Sequence, residues 1–259
     1  MNPAWLVPEW PAPAHVHALF TSRVGGTSLP PFDSLNLGWH VGDRPAAVAA
    51  NHALLRQATG VQAVFLSQVH GTQVALVSSA TPPAPRADAC VTHQTGLACC
   101  VLIADCLPLL LTNRQGSLVA AVHAGWRGLA GQGGYGILES ALPHFNVLSD
   151  PEGRDARSDV LAWLGPCIGP QAFEVGGDVR DAFVIHDQGA AALFAAQTTG
   201  KWLADLPGLA RRRLRALGVD NIYGNDGGAS WCTVENASRY FSYRRDRISG
   251  RMAACIWLS

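Results

Sequence analysis

The sequence predicts an α+β fold with mixed sheets. Strand-like apolar segments recur along the whole chain without the regular strand–helix alternation of a doubly wound parallel sheet. The longest apolar stretch, 97–112, is followed at once by a turn and a second apolar run, the pattern of a hairpin. With 259 residues, 48% of them hydrophobic, the chain can fill one large domain or two small ones. Its Pro-rich stretch, 81–86, is too short for a domain linker.

Taken in order, residues 15–24 read as a strand broken by Gly25-Gly26, and a Gly/Pro/Asn loop leads to Gly38. Asp43 is placed as the N-cap of a helix with Pro45 near its first position; the helix runs to about Ala58 and Gly60 stops it. Strands follow at 63–69, ending in His70-Gly71, and at 73–78. Asp88 to Thr92 is a short strand entering the central hairpin. Residues 129–142 read as a helix, 146–158 as a polar loop and 160–164 as a strand. Helices are expected over 178–186 and over 206–217, the latter capped by Asp205 and stopped by Gly218. Strands over 219–223 and 252–258 complete the chain.

The hairpin pairing can be counted. A symmetric loop over Asn113-Arg114-Gln115-Gly116 pairs Thr112 with Ser117, so partner numbers sum to 229 and Cys106 faces His123. Directly opposed residues have Cβ atoms roughly 4.5–5.5 Å apart, a distance that suits two ligands of one metal or a Cys–His hydrogen bond. A left-handed bulge at Gly116 shifts the sum to 230 and leaves the two as diagonal neighbours. A free Cys is most often a small buried hydrophobe. The predicted pairing with His123, beside Asp105 and the Gly125-Trp126-Arg127-Gly128 loop, favours a site instead.

Composition narrows the partners. Formal net charge is zero, so no global field draws nucleic acid or an anionic membrane, and an anionic ligand needs a local cluster. The arginines at 211–213 and 215 read as a solvated helix face. The start lacks a basic segment followed by an apolar core, so no signal peptide is read there, and the 97–112 run is shorter than the ~20 residues of a membrane span. Seven cysteines without a Cys-x-x-Cys point to a reduced, cytoplasmic protein, with Cys99 and Cys100 buried.

His70, at a strand end before Gly71, is the best third ligand beside Cys106 and His123. Two His and one Cys leave one tetrahedral position open, the pattern of a catalytic zinc; copper would also accept these ligands. His40, His52, His93, His144 and His186 read as surface residues. Glycines ahead of a helix expose backbone N–H groups to an anion, so Arg127 and Arg23 are candidate anion ligands and Trp126 a flat face for a ring. Asp105 and Glu174 are candidate general bases.

The chain resembles the bacterial laccase-domain family, whose members are named polyphenol oxidases and purine nucleoside phosphorylases. The resemblance is carried by Thr21-Ser-Arg-Val-Gly-Gly26, Ser34-Leu-Asn-Leu-Gly38, His40-Val-Gly-Asp43, Gln68-Val-His-Gly71, Ala104-Asp-Cys-Leu-Pro108, His123-Ala-Gly-Trp-Arg-Gly128, Phe173-Glu-Val-Gly176 and Phe241-Ser-Tyr-Arg-Arg-Asp246, in that order. It implies a single domain over 1–259 with a four-layer α/β/β/α sandwich, and a zinc on His70, Cys106 and His123. It implies phosphorolysis of adenosine, inosine and methylthioadenosine, and deamination of adenosine. On that reading Cys106, His123 and Asp105 are catalytic, and Arg23, Gln68, Trp126 and Arg127 bind the nucleoside and phosphate.

Three other functions compete, one of them a non-enzymatic metal-stabilised binding module that would keep metal but turn over no nucleoside. A Cys–His hydrolase that edits peptidoglycan precursors would use Cys106 as nucleophile and His123 as its base. A copper polyphenol oxidase is the weaker reading, because only His15-Val-His17 supplies a His-x-His pair.

Overall fold

The computed structural model describes residues 2–145 and 156–259. Two mixed sheets stack face to face. The first has four strands, β1 (Val16–Phe20), β2 (Gln62–Phe65), β5 (Leu97–Ile103) and β13 (Met252–Leu258), in the order β1-β13-β5-β2. The second has six, β3 (Val74–Leu76), β4 (Ala89–Thr92), β6 (Leu107–Asn113), β7 (Val119–Ala124), β8 (Val160–Leu164) and β12 (Asn221–Gly224), in the order β12-β8-β6-β7-β4-β3. Both contain parallel and antiparallel pairs. A three-stranded sheet of β9 (Glu174–Gly176), β10 (Phe194–Ala196) and β11 (Lys201–Ala204) was not anticipated; its strands are too short for alternation to show.

The apolar runs are continuous because each large sheet is covered on both faces. In β5, Leu97, Cys99, Val101 and Ile103 enter the core between the sheets, while Ala98, Cys100 and Leu102 join Leu55 of helix α1 (Pro45–Thr59) on the outer side. In β7, Val119 and Ala121 face the inter-sheet core. Ala120, Val122 and Ala124 pack outward with residues of α2 (Trp126–Ala130), α3 (Ile137–Ala141), α4 (Gly177–Val184) and α5 (Leu206–Ala216). The result is helix, sheet, sheet, helices: the expected four layers. No helix of the described residues is long and apolar enough to cross a membrane.

The hairpin register differs from the count. Thr112 pairs with Val119 and Pro108 with His123, so partner numbers sum to 231 instead of 229 or 230. Asn113 closes a longer loop: its side chain accepts from the Ser117 N–H (2.9 Å) and donates to the Ser117 hydroxyl (2.8 Å), and Leu118 leaves the ladder to fill the helix-side core. A two-residue shift keeps every side chain on its face. Cys106 therefore lies beside His123 diagonally, on the segment 104–106 that carries the chain from β5 in one sheet to β6 in the other.

Two helix assignments change. The stretch 129–142 is broken into α2 and α3 by Gly131, Gly133 and Gly134, all at positive φ; at Gly131 a Cβ would lie 1.9 Å from the Tyr135 carbonyl. Asp43 is not the cap of α1. The N-cap position is Arg44, and the Asp43 carboxylate instead accepts from Ser28 (2.6 Å), Asn36 (3.0 Å) and the Arg44 N–H (2.7 Å). Asp205 does cap α5, accepting from the Gly208 N–H at 2.8 Å. Most of the expected loop 146–158 lies outside the described residues; 156–159 form a 3-10 turn.

Candidate metal centre

Asp88, just before β4, organises the site. Its fully buried carboxylate accepts backbone N–H groups from Val69 (3.2 Å), His70 (2.9 Å) and Gly71 (2.7 Å), and the Nδ1 of His123 lies 2.9 Å from one of its oxygens. These bonds hold His70 at φ 59, where a non-glycine residue is uncommon. They also leave His123, at the end of β7, with Nε2 turned toward Cys106. A carboxylate behind a ligating imidazole orients the ring and fixes its tautomer. Sequence reasoning used Asp88 only as the start of a strand. An acidic residue at the head of a strand of otherwise buried residues was the available signal.

Cys106 is set by the sheet-to-sheet crossing. Asp105 sits there at φ 87, and its carboxylate accepts the Thr233 hydroxyl and the Arg244 backbone N–H, both at 2.6 Å. Both oxygens of Asp105 are thus engaged in bracing the turn, which argues against a free general base. Gly125, opposite Cys106, leaves room for the thiol: a Cβ there would lie 3.0 Å from the Cys106 Sγ and 3.2 Å from His70.

The three ligand atoms of His70, Cys106 and His123 lie within 4.8 Å of one another. The Cys106 Sγ is 3.9 Å from the His70 Nε2, and the two imidazole rings stand nearly perpendicular, at 84°. A tetrahedral zinc spaces such donors at roughly 3.3–3.6 Å, so small side-chain adjustments close the trio on an ion. The donor set, one thiolate and two imidazoles, fits a borderline-soft divalent cation. His123 is buried, Cys106 half-buried and His70 exposed, so the trio opens to one side.

The charges favour a thiolate at Cys106 paired with a protonated His123, whose proton a bound metal would displace. Burial works against a thiolate at Cys106, yet the His123 imidazolium and hydrogen bonds from His123 and His70 outweigh it and bring the pKa down to about 6. Burial equally opposes a charged His123, but the Cys106 thiolate and Asp88 push its pKa up to about 9. Asp88 is raised by burial and lowered more by His123 and the Gly71 and His70 N–H groups, ending below the usual carboxylate range.

The trio opens into a cavity of about 840 Å³, a volume suited to a small molecule. Gln68, Asp105, Trp126 and Arg127 line it with the trio. The Gln68 amide is committed to β5, bonding the Leu102 N–H (2.7 Å) and carbonyl (3.0 Å). Arg127 lies over the Trp126 ring at 4.4 Å. Arg23 is not brought into the cavity. It pairs with Asp33 (3.2 Å), donates to the Asp33 and Ala237 carbonyls and covers the Phe241 ring, contacts that anchor its own loop. Glu174 is exposed outside the cavity lining. His40, read from sequence as a surface residue, lines the cavity; burial, Arg251 and His70 lower its pKa. Phe173, Tyr243 and Arg244, which belong to the motifs quoted above, line it too, as do Arg247 and Arg251, to which no spacing rule pointed. Arg251 feels the charges of Cys106 and Asp105, which offset part of the lowering that burial imposes on it.

Gly125 yields a selective prediction. It sits at φ −64, where alanine is unstrained, so Gly125→Ala should unfold within a few degrees of wild type. Its Cβ crowds Cys106 and His70, so metal affinity should fall about tenfold or more. Metal titration against a competing chelator checks this, and unchanged affinity would show that the thiol has room to move.

A family model described as multi-copper polyphenol oxidoreductase laccase matches residues 17–259. The chain is 47% identical over 255 residues to purine nucleoside phosphorylase YfiH of Escherichia coli (strain K12), an alignment covering 98% of each chain. It is 46% identical over 256 residues to a purine nucleoside phosphorylase of Pseudomonas aeruginosa, again covering 98% of each. A crystal structure of a Neisseria meningitidis protein superposes with a TM-score of 0.90 at 44% identity, covering 99% of each chain.

Proposed function

Since the chain belongs to the multi-copper polyphenol oxidoreductase laccase family, and its near relatives carry the name purine nucleoside phosphorylase, we propose that it is a zinc-dependent purine nucleoside phosphorylase. The observation that carries the reading is the His70–Cys106–His123 trio opening into a cavity with arginines on its walls and Trp126 beside it. Adenosine, inosine and methylthioadenosine are the proposed nucleosides, with deamination of adenosine as a second activity. The cytoplasm is the proposed compartment, since all seven cysteines are free thiols.

In phosphorolysis a phosphate oxygen forms a bond to the anomeric carbon as the bond from that carbon to the purine nitrogen breaks. The purine leaves with the bonding pair and takes up the proton that phosphate gives up. The products are free base and ribose 1-phosphate. A divalent cation, when bound by the trio, supplies Lewis-acid polarisation of a substrate atom and, for deamination, activation of water. Asp88 keeps His123 oriented, and Asp105 keeps Cys106 in place. Trp126, with Arg127 over its ring, offers a face for the purine.

The placement of the other histidines weighs against multicopper chemistry. The His15 Nε2 is 3.1 Å from the Gly116 carbonyl, and His17 bonds Ser259 and stacks on Trp257. Among the described residues, His70, Cys106 and His123 are the one group of three placed to hold a metal. The Cys106–His123–Asp88 relay favours one second reading, a cysteine hydrolase with Cys106 as nucleophile.

The test is to incubate the purified metal-loaded protein with inosine at varied phosphate. Phosphorolysis gives hypoxanthine and ribose 1-phosphate in equal amounts, rising with phosphate. Phosphate-independent release with free ribose would overturn it. No release, with activity on an amino-acid-substituted muramyl nucleotide, would favour the hydrolase.

A further inference from the structure

The cavity holds an excess of positive charge that the metal centre does not use. Arg127, Arg244, Arg247 and Arg251 line it, and among the described residues none of them forms an ion pair. Elsewhere Arg212 pairs with Asp187, Arg213 with Glu139 and Arg245 with Asp246. Among the described residues the one carboxylate on the cavity wall is Asp105, whose oxygens are taken by Thr233 and the Arg244 N–H. In a chain of zero formal net charge, this is a local concentration of uncompensated guanidinium.

Three of these arginines come from one short segment, and two of them are fixed by neutral partners. Arg244 lies in the short helix α6 (Tyr243–Asp246); its guanidinium donates to the Glu174 carbonyl (2.9 Å) and lies 5.5 Å from the centre of the Phe173 ring. Arg251 donates to the carbonyls of Ser249 (2.9 Å) and Gly250 (3.0 Å). Its stem passes over Gly38, where a Cβ would lie 2.8 Å from its Cγ. Carbonyl partners hold a guanidinium in place without neutralising it, and each of these two keeps further N–H groups unspent. Arg247 follows α6 at φ 63, a conformation rare outside glycine, and its exposed side chain bonds to nothing among the described residues. A strained residue with an unspent cation, beside two that are pre-positioned, is an arrangement suited to a tetrahedral oxyanion.

We propose that Arg244, Arg247 and Arg251 form the oxyanion subsite of this cavity, binding the phosphate that attacks the anomeric carbon beside His70, Cys106 and His123. The proposal deepens the phosphorylase reading and rests on it for the chemical step. It replaces Arg23 as the anion ligand and leaves Arg127 beside the aromatic face. The phosphate chemistry has two sources, inorganic phosphate and the phosphate of ribose 1-phosphate, the substrate of the reverse direction.

The test uses the metal-loaded protein and two readouts. Arg247→Gly suits the local φ and removes no internal bond, so it folds; Arg244→Gln and Arg251→Met are compared after their thermal unfolding has been checked. Each loses a charge-assisted contact, so KM for phosphate should rise about tenfold or more, while KM for inosine stays within about twofold. Independently, inorganic phosphate and ribose 1-phosphate are titrated calorimetrically into wild type and variants without nucleoside. Weakened binding of either in Arg247→Gly supports the subsite, even if turnover of inosine proves independent of phosphate and the phosphorylase reading falls. Unchanged phosphate affinity in Arg247→Gly and in every folded variant, as expected if the metal alone held the anion, would overturn it. So would the failure of wild type to bind either probe.

Discussion

Cys106→Ala should lose nearly all bound metal and nearly all turnover while keeping its fold. The thiolate is the one anionic ligand in the trio, and its two partners differ in how firmly they are held. His123 is buried and braced by Asp88, whereas His70 is exposed at a loop end. Two imidazoles alone make a weak site for a divalent cation. The loss should exceed the roughly 10–100-fold that removing an outer-shell partner costs. Cys106 sits in the crossing between β5 and β6, which is braced by Asp105 and not by the thiol, so the unfolding temperature of the metal-free variant should match that of metal-free wild type. Elemental analysis of the purified variant, with thermal unfolding of both proteins after chelation, checks the two halves separately. Unchanged metal stoichiometry would place the ion elsewhere.

Asp88→Ala is the second large effect, and it acts on the fold as well as the site. The substitution leaves three backbone N–H groups and the His123 ring without their acceptor in a fully buried place. Removing one partner of a buried charged pair costs about 3–5 kcal/mol. At roughly 2–4 °C per kcal/mol for a chain approaching this size, the unfolding temperature should fall by about 10 °C. Asp88→Asn keeps the volume but offers one acceptor oxygen in place of two, so it should fall between. The effect has a pH signature. The Asp88 pKa is depressed in the folded protein, so its contribution is complete above the ordinary carboxylate pKa and is lost as pH falls through the folded value. The gap in unfolding temperature between wild type and Asp88→Ala should therefore narrow in acid. A constant gap from neutral pH down to about pH 3 would show that the carboxylate charge contributes nothing.

Much of this was readable in the residues, for definite reasons. Apolar runs buried on both faces leave a strong signal, so β5, β6, β7 and β13 were all visible, and with them the neighbourhood of Cys106 and His123. The register was not, because it depends on how the Asn113 side chain closes the turn. The error of two residues did no harm to the pairing of faces. Asp88 was passed over because its partners, Val69 to Gly71 and His123, are distant in sequence and mostly backbone, and a backbone N–H leaves no mark on a sequence. The place of the arginines of 244–251 on the cavity wall was hidden for another reason. Charged residues in an irregular segment look like any solvated loop until the fold brings them over a cavity. Arg23 works in the opposite sense: beside Gly25-Gly26 it reads as an anion ligand, while the fold pairs it with Asp33, close by in sequence.

The proposed reaction turns on whether phosphate, and not water, accepts the ribosyl group. Supplying inosine with phosphate labelled with oxygen-18 at every position, and analysing the sugar product by mass spectrometry, decides this directly. Attack by phosphate oxygen on the anomeric carbon predicts ribose 1-phosphate that retains every heavy oxygen, including the one bridging carbon and phosphorus. Unlabelled free ribose as the first sugar product would contradict it.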